Sequence, residues 1–143
     1  MSTEENKAIV HRLMYEVINK RSVAAADNVC ADSFIWHGGS AGEAPNLDVV
    51  KQLLAAFFTA FPDLTVISSD LLAEGDKVVA SYTWRGTHRG EFQGIPPTGK
   101  QVKVTGISIY RVAGGKIAEE WWQQDLLGLM QQLGVVPMPG QAS

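Results

Sequence analysis

The hydrophobic pattern of this chain changes period once, at Pro62, and that change restricts the fold more than any motif does. Before Pro62 apolar residues recur every three to four positions, the spacing of a helix face. After it they alternate, the spacing of strands with one buried side. Helices first and strands second make an α+β layer architecture, in which a largely antiparallel sheet covers the helices' apolar stripes.

The individual elements follow from this pattern. Ser2-Thr3-Glu4-Glu5 reads as a capping box, and Ile9, Val10, Leu13, Met14, Val17 and Ile18 predict a helix over Lys7 to Lys20. Val23 to Val29 can form a second short helix, and Phe34-Ile35-Trp36 a first strand before the turn at Gly38-Gly39. Asn46 is a candidate N-cap for an amphipathic helix over Leu47 to Phe61, stopped by Pro62. Strands are predicted near Thr65 to Ala73, Lys77 to Thr87, Val102 to Val112 and Lys116 to Gln124. Glycine turns at 74–76 and 113–115 join neighbours as hairpins, while Gly86 to Lys100 is a longer irregular connection. The tail from Val135 to Ser143, with Pro137 and Pro139, is not helical.

With 143 residues, one domain spanning 1–143 is the expectation, and 45% apolar against 19% charged residues predicts a packed core. A formal charge of −3 without any Lys/Arg run argues against nucleic acid and membrane-surface partners. Cys30 is the only cysteine, so no intrachain disulfide forms, and its apolar neighbours suit a buried side chain. The first residues lack the basic and apolar regions of a signal peptide, and no apolar stretch reaches about 18 residues, so a cytoplasmic protein is expected. No paired metal-ligand spacing, phosphate loop, Rossmann fingerprint or nucleophile elbow is present, and no cofactor is expected.

The run Gly86-Thr87-His88-Arg89-Gly90-Glu91-Phe92-Gln93-Gly94-Ile95-Pro96-Pro97-Thr98-Gly99-Lys100 resembles the G-T-H-x-G-x-F-x-G-I-P-P-T-G-K segment of SnoaL-like polyketide (ester) cyclases. A second match runs from Gly115-Lys116-Ile117-Ala118-Glu119-Glu120-Trp121 through Asp125, Leu126 and Gly128 to Gln131-Gln132-Leu133-Gly134. The resemblance implies the nuclear-transport-factor-2-like fold: a cone-shaped half-barrel, its curved, mostly antiparallel sheet wrapped around N-terminal helices and an internal pocket. It also implies a homodimer made by packing sheets together. In the family's aldol-type cyclases a carboxylate on the last strand removes an acidified α-proton, and a histidine helps hold the enolate oxygen. Placed by the flanking matches, Trp122 stands at the position of that carboxylate and Ser108 at that of the histidine.

If Trp122 faces the pocket, period two puts Glu120 and Gln124 there too, and Glu119, Trp121 and Gln123 on the opposite face. Glu120 in an apolar cavity would have a raised pKa suited to a general base; at a wet cone mouth it would be merely solvated. Asp125 can cap the C-terminal turn through N–H groups near Leu127 and Gly128, or act as a catalytic acid or base. His37, beside Trp36 at the end of the first strand, is a candidate for proton transfer at the cavity rim or a hydrogen-bonded surface group. His88 reads as a pin for its own loop, and His11 as solvent-facing. Trp36, Tyr82, Trp84, Ser108, Tyr110 and Trp122 are candidate substrate contacts, although core packing is the default for the aromatic ones in a small domain.

Two functional classes follow. One is a cofactor-independent cyclase, isomerase or hydrolase acting on a small apolar carbonyl or polyketide-like substrate, with Glu120 or Asp125 as base and His37 or Ser108 assisting. The other is a non-catalytic pocket for an apolar metabolite, or a dimeric interaction module whose cavity is filled by Trp122, Trp84 and Met130. A cavity of about 300 Å³ or more, with a desolvated carboxylate beside His37, would favour the enzyme.

Overall fold

The computed structural model describes residues 2–137 and residue 140, with the backbone alone at Ser40. The expectation for the tail beyond Pro137 lies outside the described residues, Gly140 apart. Helix α1 (Thr3–Arg12) begins at the capping box, where the Glu5 N–H donates to the Ser2 hydroxyl at 3.1 Å and the Ser2 N–H to the Glu5 carboxylate at 3.2 Å. From Leu13 to Ile18 the same helix widens to a π-type winding, and the Asn19 N–H reaches back five residues to the Met14 carbonyl at 2.8 Å. The Asn19 side chain then ties this end to the sheet, accepting from the Val66 N–H at 2.7 Å.

Helix α2 (Ala26–Val29) is shorter than the predicted Val23 to Val29 and leads directly into β1 (Cys30–His37), which is longer than the predicted Phe34 to Trp36. Exposed Asp32 and Ser33 interrupt the alternation there, and the pairing shifts register between Cys30 and Ile35, so no period-two signal exists over that half. A two-residue strand β2 (Glu43–Ala44) folds back on β1, too short to leave a pattern. Helix α3 (Leu47–Ala60) is capped by Asn46, whose Oδ1 accepts from the Val49 N–H at 3.1 Å. It ends because Pro62 pushes Phe61 out of the helical region, to φ −130° and ψ 80°.

Strands β3 (Thr65–Glu74), β4 (Lys77–Thr87), β5 (Gln101–Ala113) and β6 (Lys116–Gln124) follow the predicted meander, and α4 (Leu126–Leu133) replaces the expected C-terminal turn. The six strands form one curved, unclosed sheet in the order β2-β1-β6-β5-β4-β3, antiparallel except where β1 pairs parallel to β6. The alternating burial of β4 and β5 puts Val78, Ala80, Tyr82 and Trp84 with Val104, Ser108, Tyr110 and Val112 on the concave face, where the main core lies. No helix among the described residues is long and apolar enough to cross a membrane.

The glycine-rich segment between β4 and β5 is pinned at both ends. His88 and Lys100 are joined by a backbone bond at 2.9 Å, and the Gly99 N–H donates to the His88 carbonyl at 2.8 Å. Asp63 accepts from the Thr87 N–H at 2.6 Å and its hydroxyl at 2.7 Å. The buried His88 ring accepts at Nδ1 from the Thr98 N–H at 3.2 Å, which leaves its hydrogen on Nε2 and makes it the loop pin that its place in the sequence suggested. The Arg89 and Gly90 N–H groups both reach the Ala60 carbonyl, at 2.9 and 3.2 Å, so the segment closes the last turn of α3 while Phe92 packs on Phe57 and Phe61.

Gly90 is fixed by that approach, since a Cβ there would run into the Thr59 carbonyl oxygen, a backbone atom that has no way to move aside. Gly90→Ala is expected to lower unfolding free energy by about 1–3 kcal/mol, read by urea denaturation. An unchanged midpoint would mean that the segment does not hold α3 as described.

Candidate functional site

A cavity of about 130 Å³ lies between the concave sheet face and the helices. The π-wound turn supplies Leu13, Met14 and Ile18, and α3 supplies Leu54, Phe57 and Phe58, all apolar. The sheet supplies the remainder of the wall. Trp36 from β1, Tyr82 and Trp84 from β4, Tyr110 from β5, and Glu120, Trp122 and Gln124 from β6 all line it, with Cys30 beside them. The volume is below the ~300–1,000 Å³ of drug-sized ligand pockets and near the roughly 150 Å³ that holds a benzene-sized molecule. Trp84 and Trp122 form walls and do not fill the space, and Met130 does not line it.

Among the described residues Glu120 is the only carboxylate on this lining, and it is 8% exposed. Cross-strand register sets Tyr110 directly opposite it and Ser108 opposite Trp122. Burial drives its pKa up from the ordinary 4.5 to about 7, although hydrogen bonding from the Ser108 and Tyr110 hydroxyls pulls the other way. A chain of hydrogen bonds runs alongside: Trp84 Nε1–H donates to Gln124 Oε1 at 2.9 Å, and Gln124 Nε2–H to the Tyr82 hydroxyl at 2.9 Å. That hydroxyl lies 3.1 Å from Ser108 Oγ. Trp36 and Trp122 meet at 5.2 Å between ring centres. Cys30 shares the wall, its thiol pushed up to about 12 by burial first and by Glu120 second, so it stays protonated.

The structure therefore brings together on the lining Glu120, Trp36, Tyr82, Trp84, Tyr110 and Trp122, six of the nine residues singled out from the sequence, and places Ser108 fully buried behind it against Tyr82, without the cavity-facing position expected of a substrate contact. It does not bring in the other two. Asp125 is the N-cap of α4, its Oδ1 accepting from the Gly128 N–H at 2.9 Å, the structural alternative weighed for it. His37 alternates with Trp36 and so sits on the opposite face of the sheet. There Nδ1 meets Glu43 at 3.0 Å and Nε2 meets Glu119 at 2.6 Å, the ring stacks on Trp121 at 5.3 Å, and Arg111 reaches Glu119 at 3.1 Å. Glu43 and Glu119 grip opposite edges of the imidazole, so these acids do not converge on one point. Among the described residues no group of three or more His, Cys, Asp or Glu is placed to hold a metal ion. His11 is exposed and stacks on Tyr15.

Gln124 was recognised only as a neighbour of Trp122 by alternation. The same alternation that put Glu120 in the pocket could have assigned it a role, because an amide among aromatic walls needs partners.

Two stability profiles follow from these shifts. The folded-state pKa of Glu120 lies above its unfolded value, so the folded chain holds an extra proton between about pH 4.5 and 7. Stability should fall across that window by roughly 3 kcal/mol. Glu120→Gln should remove the slope and leave the variant more stable than the parent above pH 7, as measured by denaturation at each pH. The His37 pKa is raised by hydrogen bonds to Glu43 and Glu119. Its contribution is complete below the usual value near 6.5 and lost as pH rises through the folded one. His37→Gln should destabilise the protein below about pH 6.5 and have a diminishing effect as pH rises above it. A gap that does not narrow would refute the ion-pair assignment.

The family model for SnoaL-like polyketide cyclases matches residues 8–133. No curated protein matches the chain. Among solved structures, a protein from Jannaschia sp. CCS1 assigned as a SnoaL-like polyketide cyclase is 26% identical with a TM-score of 0.86, covering 94% of this chain and 95% of that one. AclR of Streptomyces galilaeus, assigned as a hydroxylase, is 28% identical with a TM-score of 0.86 over 97% of this chain and 87% of its own. A protein from Acidithiobacillus ferrooxidans assigned as a polyketide cyclase is 30% identical with a TM-score of 0.81, over 94% and 98%. With a match over most of its length and a curved, unclosed sheet of the same fold, the chain belongs to the SnoaL-like polyketide cyclase family.

Proposed function

We propose that this protein is a cofactor-independent enzyme in which Glu120 moves a proton on a compact, largely apolar carbonyl substrate. One observation carries the reading: a single carboxyl, desolvated in an aromatic cavity, with its pKa raised to about 7. Such a group is about half ionised at neutral pH and matched to general acid–base work. As a base it would take a proton from a carbon flanked by two carbonyls. The C–H bond breaks, an O–H bond forms on Glu120, and the electron pair stays on the substrate as an enolate. Returning the proton elsewhere isomerises the substrate; attack of the enolate on an internal carbonyl closes a ring. Either course is redox-neutral. Trp36, Trp84 and Trp122 would hold the apolar body against their faces.

A second reading is favoured by Trp122 and Ser108, which stand where the resemblance expects the acid and histidine of the aldol cyclases. It makes the cavity a binding pocket without chemistry. The homodimer belongs with either reading: Ile107 (54% exposed) and Ile109 lie on the outer face of β5 beside Trp121 of β6, an apolar patch suited to a second sheet.

Exchange of the α-protons of ethyl acetoacetate with solvent deuterium, followed by NMR, separates the two. Wild type should accelerate exchange with an inflection near pH 7, and Glu120→Gln should lose about 100-fold or more. Asp125→Asn and His37→Gln should retain the rate. Binding of the ester without acceleration would support the second reading, and an undiminished rate in Glu120→Gln would sink the carboxylate mechanism.

A further inference from the structure

The polar groups behind the cavity wall are ordered in a way that the acid–base reading does not require. An indole N–H only donates, so the Gln124 atom 2.9 Å from Trp84 Nε1 must be the amide oxygen. This fixes an amide orientation that would otherwise be ambiguous, and the Gln124 nitrogen is left to donate to the Tyr82 hydroxyl. Having accepted from Gln124, Tyr82 has its own hydrogen to place, and Ser108 Oγ is the oxygen 3.1 Å away. Ser108 is fully buried, so its hydrogen in turn needs an acceptor, and the Glu120 carboxylate lies on the adjoining strand.

We propose that Trp84, Gln124, Tyr82 and Ser108 form a one-way hydrogen-bond chain that makes Ser108 a donor to Glu120 and directs any proton carried by Glu120 into the cavity. This rests on the reading of Glu120 as the acid–base group and adds to it three positioning residues, Gln124, Tyr82 and Ser108. The direction is imposed from the indole end. With Ser108 accepting from Tyr82 and Tyr110 donating from the facing position on β5, the sheet side presents hydroxyl hydrogens to Glu120, which favour a bare carboxylate oxygen there over a carboxyl hydrogen. The hydrogen of a protonated Glu120 is therefore offered to whatever occupies the cavity. The lowering influence of Ser108 and Tyr110 on the Glu120 pKa has the sign expected of two donors. The other titratable groups facing Glu120 are Tyr82 from β4 and Cys30 from β1, both held neutral by burial. From α1, its π-wound extension and α3 only apolar side chains line the space, so no charged side chain competes with the chain for control of Glu120.

The test is a pH titration of the protonated carboxyl stretch by infrared difference spectroscopy of the unliganded protein, with Glu120→Gln providing the assignment. Tyr82→Phe and Gln124→Met each cut the chain without touching Glu120. Both should raise the apparent pKa of Glu120 by about half to one pH unit, and Ser108→Ala by more. Unchanged or lowered values in Tyr82→Phe and Gln124→Met would overturn the chain even if Ser108→Ala shifts, since Ser108 would then act alone. The ethyl acetoacetate exchange profile is the second readout. If the infrared pKa moves and the exchange inflection does not, the chain stands and the assignment of Glu120 as the acid–base group falls.

Discussion

The parallel pairing of β1 with β6 is the contact on which the remainder of the architecture depends. Every other strand pair joins segments close in sequence, whereas this one joins the first strand to the last and so fastens the helical half of the chain to the meander. Its register, Trp36 beside Glu120 and His37 beside Trp121, determines what each face of the sheet presents. On the concave side it sets an indole next to the buried carboxyl. On the convex side it sets an imidazole against Glu119 and the Trp121 ring. A slip of one residue would exchange the two environments, placing a protonatable ring in the cavity and a tryptophan in the ion-pair cluster.

The cavity works against the fold that contains it. A carboxyl held without a counter-charge among aromatic walls is less favourable folded than unfolded once ionised, and a cavity has fewer dispersion contacts between its walls than a close-packed core. These costs are offset elsewhere: by the capped helices, by the ladder between β4 and β5, and by the glycine-rich segment that locks the end of α3. The hydrogen-bond chain through Gln124 and Tyr82 limits the penalty by giving each buried polar atom along it a partner. Sites of this kind commonly exchange stability for chemistry.

Much of this was legible in the sequence because local signals and tertiary demands agree over long stretches. The capping box at Ser2, the Asn46 cap, the stop at Pro62 and the alternation of β4 and β5 each have a cause within a few residues. Period two also sufficed to put Glu120 with Trp122 and Tyr82 with Trp84. What the sequence did not reveal depends on distant partners. The first half of β1 has two adjacent exposed residues and acquires its strand geometry from β6, and β2 exists only as a return from β1. The π-type winding at Leu13 leaves the apolar spacing nearly unchanged, so no periodicity reports it. His37 was placed at the rim from the glycine-rich stretch that follows it, yet adjacency to Trp36 in a strand means opposite faces, and Glu119 and Glu43 were available to hold it outside.

Of the four tryptophans in the chain, Trp36, Trp84 and Trp122 stand in the cavity wall and only Trp121 faces outward. The protein's near-ultraviolet emission is thus weighted toward a single cavity. A neutral guest, a change in water content or the ionisation of the carboxyl beneath those rings alters the field at three fluorophores together. The fold therefore carries an intrinsic optical reporter of its own interior, independent of any label or turnover.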